Sequence, residues 1–329
     1  MKKRSVSGVL TLLLASFFWG STFIVQSEAA AVLPTFTYLA ARSFVGAAAL
    51  FVVIALRAAY RRAKKVVPEA ACPDAPEEKG AKRKRYLLAG GSVGAVLTVA
   101  AIFQQEGIAR GATAGEAGFL TALYMFVVPL LCFIFYRKKL TVNLLVGAIL
   151  MAVGLYCLCI ADKGWTAVGA GHLFIILSAV GYAFHILSVD RFKDVDGLWL
   201  SAMQFSVVAV VSSVLALIFD RGSFARILDA AFPILYAGLV SSAVGFTLQI
   251  YGQKHAPPTL ATIVMSLESV IALLCEWLCS LSGILGVARG SVAMTPLKIV
   301  GCVFAFVGIV AAQLSFGKIA QRARERWRP

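Results

Sequence analysis

The sequence predicts an all-α integral membrane protein of ten transmembrane helices, arranged as two inverted five-helix repeats. Three observations lead there. The 329 residues are 60% hydrophobic and only 14% charged, with a mean hydropathy of +0.85, which leaves too little polar surface for a soluble protein of this size. The apolar residues gather into ten runs of roughly 20, the length that crosses a ~30 Å hydrocarbon core as a helix. Finally, one spacing occurs twice. Thr141, Gly147 and Gly154 punctuate TVNLLVGAILMAVG, and Thr295, Gly301 and Gly308 punctuate TPLKIVGCVFAFVG. A duplicated pattern inside a membrane-spanning chain points to a transporter built from two repeats, with its site between them.

The runs fall at residues 8–27, 34–56, 86–105, 113–136, 143–160, 171–187, 198–219, 232–253, 259–281 and 296–316. The first follows MKKR, yet it is too long for a signal-peptide core and carries Trp19 and Gln26 without a convincing cleavage site, so it reads as a span. The second starts at Pro34, and the ninth follows Pro257 and Pro258, residues suited to helix starts. Pro129 sets an expected kink in the fourth. The third ends on Gln104 and Gln105. Residues 282–295 either extend the ninth helix or form a loop.

With the N-terminus inside, inner segments hold 24 Lys and Arg against 6 outside, and Arg42 lies within a span. That asymmetry places both termini in the cytoplasm. Five spans per half is odd, so the second half is inverted. The charges agree, since Arg137, Lys138 and Lys139 follow the fourth span whereas Arg289 alone lies between the ninth and tenth. The net charge of +15 is therefore spread among loops at an anionic membrane surface rather than gathered on a nucleic-acid-binding domain. The repeats span residues 1–160 and 161–317, followed by a basic cytoplasmic tail at 318–329. Residues 57–85, rich in Ala, Pro and mixed charge, read as a disordered cytoplasmic linker with basic ends near anionic lipid.

Several phrases resemble the EamA-type permeases of the drug/metabolite transporter superfamily. They are FWGSTF (18–23), TYLAARSFVGAA (37–48, with Arg42), TAGEAGFLTALYMFVVPLL (113–131) and QIYGQKHAPPTLATIVMSLESV (249–270). The two Thr-Gly-Gly stretches match the last helix of each repeat in that family. The chain departs from the pattern in having RKK and SLSGILGVARGSVAM where short Gly-Glu turns are usual. It also has Glu268-Ser269 in place of Glu-Pro, which removes an expected kink. The resemblance implies a permease of small metabolites and names no substrate.

Arg42 lies eight residues beyond Pro34, roughly 12 Å along a helix. A cation there costs about 2.5–3.5 kcal/mol on insertion scales, so it faces the bundle interior. Either it receives a substrate carboxylate or phosphate, or it is a structural charge bonded to carbonyls or Glu28. Its counterpart in the second repeat is Gln204 (LAARSF beside SAMQFS). Glu268 is a mid-membrane carboxylate and so a candidate proton carrier, and Glu276, eight residues on, would continue the path. Trp19, Phe23, Tyr38, Tyr124 and His185 are candidates for a pocket wall and equally for plain packing. Gln104, Gln105 and Gln249 are candidates to line the cavity. The seven cysteines form no metal or redox motif, with Cys157 and Cys159 about 200° apart around a helix.

The expected function is a secondary transporter of the inner or plasma membrane, exporting amino acids or related metabolites by alternating access, with proton coupling through Glu268 and Glu276. A facilitator or exchanger of nucleotide-sugar or lipid-linked substrates is the alternative, although such substrates call for more cations than Arg42. A non-transporting scaffold does not explain the inverted duplication. A membrane enzyme needs clustered His and Asp, and the three histidines are scattered. There is no GxxxxGK[ST] loop for ATP, and no bound cofactor is expected. The expected partners are the substrate and membrane lipids, with a homodimer left open and no nucleic acid.

Overall fold

The computed structural model describes residues 2–64, 76–137, 142–157, 168–221 and 223–313. Among them the structure is mostly helical, with short connections and no strands. Thirteen α-helices follow one another: α1 (Lys2–Ala30), α2 (Thr35–Ala63), α3 (Pro76–Ala109), α4 (Ala114–Thr121), α5 (Tyr124–Tyr136), α6 (Val142–Leu155), α7 (Ala170–Arg191), α8 (Gly197–Leu215), α9 (Ala231–Tyr236), α10 (Phe246–Gln253), α11 (Pro258–Met265), α12 (Glu268–Ser282) and α13 (Pro296–Gln313). Several join end to end, so that eight stretches are long and apolar enough to cross a membrane. Where the fifth and tenth spans are expected, shorter apolar helices occur at Leu145–Gly154 and Pro296–Gly308. The parts of those spans beyond residues 157 and 313 lie outside the described residues, as do Thr141, Lys138, Lys139, Cys159, Lys163 and the basic tail.

The distribution of side chains is that of a protein solvated by lipid. Leu88, Val99, Leu130, Val210 and Leu217 are exposed, while Gln26, Gln104, Gln105, Gln204 and Glu268 are buried. Polar groups that avoid hydrocarbon gather inside, and apolar ones face out.

The duplicated glycines explain how α6 and α13 meet. A Cβ on Gly154 would stand 2.8 Å from the Gly301 carbonyl oxygen, and one on Gly308 would stand 2.9 Å from that of Gly147. The pairing 154–301 and 147–308 runs the two helices antiparallel. Only glycine lets their backbones approach this closely.

Two of the eight long apolar stretches, Ala114–Tyr136 and Pro258–Ser282, are each interrupted. α4 gives way to α5 at Ala122–Leu123, and α11 to α12 at Ser266–Leu267. At the first break, Met125 N–H donates to Ala122 O at 3.0 Å and Phe126 N–H to Leu123 O at 2.9 Å, tightening the turn. At the second, Ser266 Oγ donates to Ile263 O and Ser269 Oγ to Ser266 O, both at 2.8 Å. The absence of proline after Glu268 was expected to leave this helix unkinked. The serines supply the interruption instead, because their hydroxyls compete for backbone carbonyls.

One further expectation is corrected, and one open alternative is decided. The 57–85 segment is not disordered through its described part, since α2 runs on to Ala63 and α3 begins at Pro76. Alanines and long straight side chains favour helix there. Residues 283–295 form a loop rather than an extension of α12, which ends where Gly283 adopts φ +69° and donates to Cys279 O at 2.7 Å. The loop is held by Val292 N–H donating to Ser280 Oγ at 2.9 Å.

Candidate substrate cavity

A cavity lies where the two halves of the chain meet. Trp19, Thr22, Phe23 and Gln26 of α1 line it, at the spacing that places four side chains on one helical face. The breaks then bring in the first residues of α5 and α12, Tyr124 and Glu268. Arg42 of α2, Gln104 of α3, Thr121, Tyr182 of α7, Ser241 and Phe246 complete the wall. Ser241 belongs to a widened π-type segment, Ala237–Gly245, that precedes α10. The space between these side chains is about 370 Å³, of which about 40 Å³ admits the centre of a water molecule. That accommodates about three waters.

One side of the cavity is a hydrogen-bonded chain. Arg42 Nη1 donates to Gln26 Oε1 at 3.2 Å, and Gln26 Nε2 donates to Gln104 Oε1 at 3.3 Å. Gln104 Nε2 then donates to Thr121 Oγ1 at 3.2 Å, while Tyr182 Oη donates to Gln104 Oε1 at 3.0 Å. Gln105 Nε2 anchors the chain on Gln26 O at 3.3 Å. Arg42 is 6% exposed and its guanidinium stands 5.7 Å from the Tyr38 ring centroid, within cation–π range. It does not bond Glu28, the structural partner considered for it.

The cavity wall also carries an acid. Glu268 is 2% exposed, and Oε1 has no hydrogen-bond partner. Tyr124 lies beside it, close enough to interact electrostatically, but its hydroxyl makes no well-formed hydrogen bond. Trp19 Nε1 is also left without a partner. Among the described ion pairs none involves Arg42 or Glu268. A buried cation and a buried acid thus face the same space with bonding capacity to spare, an arrangement that costs free energy unless a solute completes it. The N-terminus of α12 adds the positive end of its dipole beside the Glu268 carboxylate.

Of the candidates read from sequence, Trp19, Phe23, Arg42, Tyr124, Gln104 and Glu268 are brought together here. Tyr38 lies behind Arg42 and touches the cavity only through it. Gln204 is turned away, with Oε1 3.0 Å from Nε2 of His185, and both are fully buried. Gln249 is buried outside the lining set. Glu276 also lies outside the cavity lining. It accepts from Gly115 N–H at 2.9 Å, tying α12 to the start of α4 beside Glu116 and Lys298. Thr22, Gln26, Thr121, Tyr182, Ser241 and Phe246 were missed. The available signal was a polar or amphipathic side chain in mid-span, which Gln26 and Tyr182 both carry.

Comparison with known proteins agrees with this architecture. The EamA-like transporter family matches residues 6–160 and 169–313, one match to each half. An uncharacterized transporter of Archaeoglobus fulgidus is 22% identical over 305 residues, covering 93% of this chain and 85% of that protein. A crystal structure with no functional name matches at a TM-score of 0.65 and 17% identity, covering 94% of this chain and 97% of its own. That last likeness shows the shared fold alone.

Proposed function

The chain belongs to the EamA-like transporter family and is a multi-pass membrane protein, and from that premise we propose that it is a secondary transporter exporting amino acids or closely related small metabolites. The observation that carries this reading is the presence of Arg42 and Glu268, unpaired with each other, on the wall of one cavity. A zwitterion fits such a wall from both ends. Its carboxylate takes the free guanidinium donors of Arg42, and its ammonium meets Glu268. Trp19, Phe23 and Phe246 supply an apolar surface for the side chain. Arg42 is the only cation among the described lining residues, which disfavours a nucleotide-sugar with its two phosphates.

Glu268 holds either the substrate ammonium or a proton, so loading one releases the other. That competition couples proton entry to metabolite exit. α6 and α13 act as the fifth and tenth crossings, giving two inverted repeats that rock about the cavity. Both termini lie in the cytoplasm of a cell membrane, the orientation supported by the distribution of Lys and Arg.

Flux of labelled amino acids in proteoliposomes, with and without an inward-acid gradient, tests this. Accumulation that follows the gradient is expected. Equilibration indifferent to the gradient removes the proton from the mechanism, and no flux of any amino acid removes the substrate class.

A further inference from the structure

At the basic end of the bundle, α3 and α8 leave a groove open to the membrane, apart from the central cavity. Leu87, Tyr86, Trp199 and Met203 line it, with Lys82 and Arg83 at its mouth. Leu87 is 53% and Trp199 41% exposed, and an exposed Trp near a span end marks the level of the lipid headgroups. A Cβ on Gly90 would meet Met203 Cβ at 2.5 Å. The helices therefore touch at the groove floor, and an occupant lies along the surface without entering the cavity.

The charges around the groove do not cancel. Asp194 is held by Arg85, whose Nη2 donates to Oδ1 at 2.7 Å. Asp196 is held by Arg57 at 3.2 Å and also caps α8 by accepting from Leu198 N–H at 3.1 Å and Trp199 N–H at 3.2 Å. Arg83 beside the groove, and Arg61 on the other flank of Trp199, have no acidic partner among the described residues. An apolar trough with an uncompensated cation at its mouth, placed at headgroup level, matches an amphiphile with a negative head.

We propose that the α3–α8 groove binds an anionic phospholipid, its acyl chain along Leu87, Met203 and Trp199 and its phosphate on Arg83. Arg61, on the other flank of Trp199, adds to the positive field around that phosphate. A bound lipid joins α3 of the first half to α8 of the second, so its occupancy bears on how the halves move.

The test uses the full-length protein in vesicles carrying acyl-brominated phosphatidylglycerol or phosphatidylcholine. Trp199→Phe isolates the Trp199 share of the fluorescence quenching. Stronger quenching of Trp199 by the brominated phosphatidylglycerol is expected. Arg83→Gln should weaken that preference about five-fold, the equivalent of about 1 kcal/mol per basic residue at the surface. Lys84→Gln, which removes the same charge from α3 outside the groove, should leave it unchanged. Equal quenching by the two lipids overturns the proposal, and so does an equal loss in the Arg83→Gln and Lys84→Gln variants. Displacement by excess inorganic phosphate also overturns it, in favour of a free-anion site.

Discussion

Replacing Arg42 by Gln separates a substrate-binding role from a structural one, because the two predict opposite patterns in stability and flux. The charge costs about 2.5–3.5 kcal/mol at mid-span. Against that stand its bond to Gln26 at 3.2 Å, worth about 1.5–3 kcal/mol for a charged donor, and its contact with the Tyr38 ring, worth about 0.5–2 kcal/mol. These nearly cancel, and a Gln at position 42 retains an amide able to reach Gln26. Thermal denaturation in detergent should therefore shift by less than about 1 kcal/mol. The substrate carboxylate, in contrast, loses a charge-assisted partner of about 1.5–3 kcal/mol, a fall of about 10- to 150-fold in the transport kcat/KM. Proteoliposome flux per folded molecule measures it. Flux unchanged within about two-fold would refute the reasoning. So would a stability loss above about 3 kcal/mol with flux falling only as the folded fraction falls.

Glu268→Gln keeps the shape of the cavity wall but holds no exchangeable proton. Flux driven by an imposed pH gradient should vanish, and the melting temperature should hold or rise; gradient-dependent flux persisting in this variant would exclude Glu268 as the carrier. Gly154→Ala places a methyl 2.8 Å from the Gly301 carbonyl, and the resulting overpacking of α6 against α13 should cost about 1–3 kcal/mol in thermal unfolding. In the connection between α7 and α8, the hydrogen bond from Arg85 holds the Asp194 carboxyl below its usual range. The pair's contribution is therefore complete above about pH 4, the unfolded carboxylate value, and disappears as pH falls through the lower folded value. The pair is about half exposed, so solvent screening keeps its contribution small. The melting-temperature gap between the parent and Asp194→Asn should stay constant above about pH 5 and close below about pH 4.

Much of the architecture is legible without coordinates, because the rules of a bilayer act locally. A run of apolar residues must become a helix wherever it sits, since no water is present to satisfy its backbone. The cost of a charge in hydrocarbon marks Arg42 and Glu268 as inward-facing from their depth alone. The glycine spacing likewise announced two equivalent segments, and Gly154 and Gly308 prove to be their points of contact with each other.

What remained hidden depends on helix rotation and on partners distant in the chain. Gln26 and Gln104 are 78 residues apart, and nothing in either helix fixes the angle at which they meet. Glu276 shares a helix with Glu268 yet turns to the start of α4, while Gln204, matched to Arg42 by sequence, turns to His185. The interruptions at Ala122–Leu123 and Ser266–Leu267 contain neither glycine nor proline, and serines like Ser266 and Ser269 occur in unbroken helices too, so the breaks are not legible locally. The sequence by itself determined an all-helical, membrane-spanning chain in two halves, through hydrophobic free energy summed over each segment. Only the tertiary structure decided which polar faces share a cavity, because that follows from how neighbouring helices pack and where their backbones break.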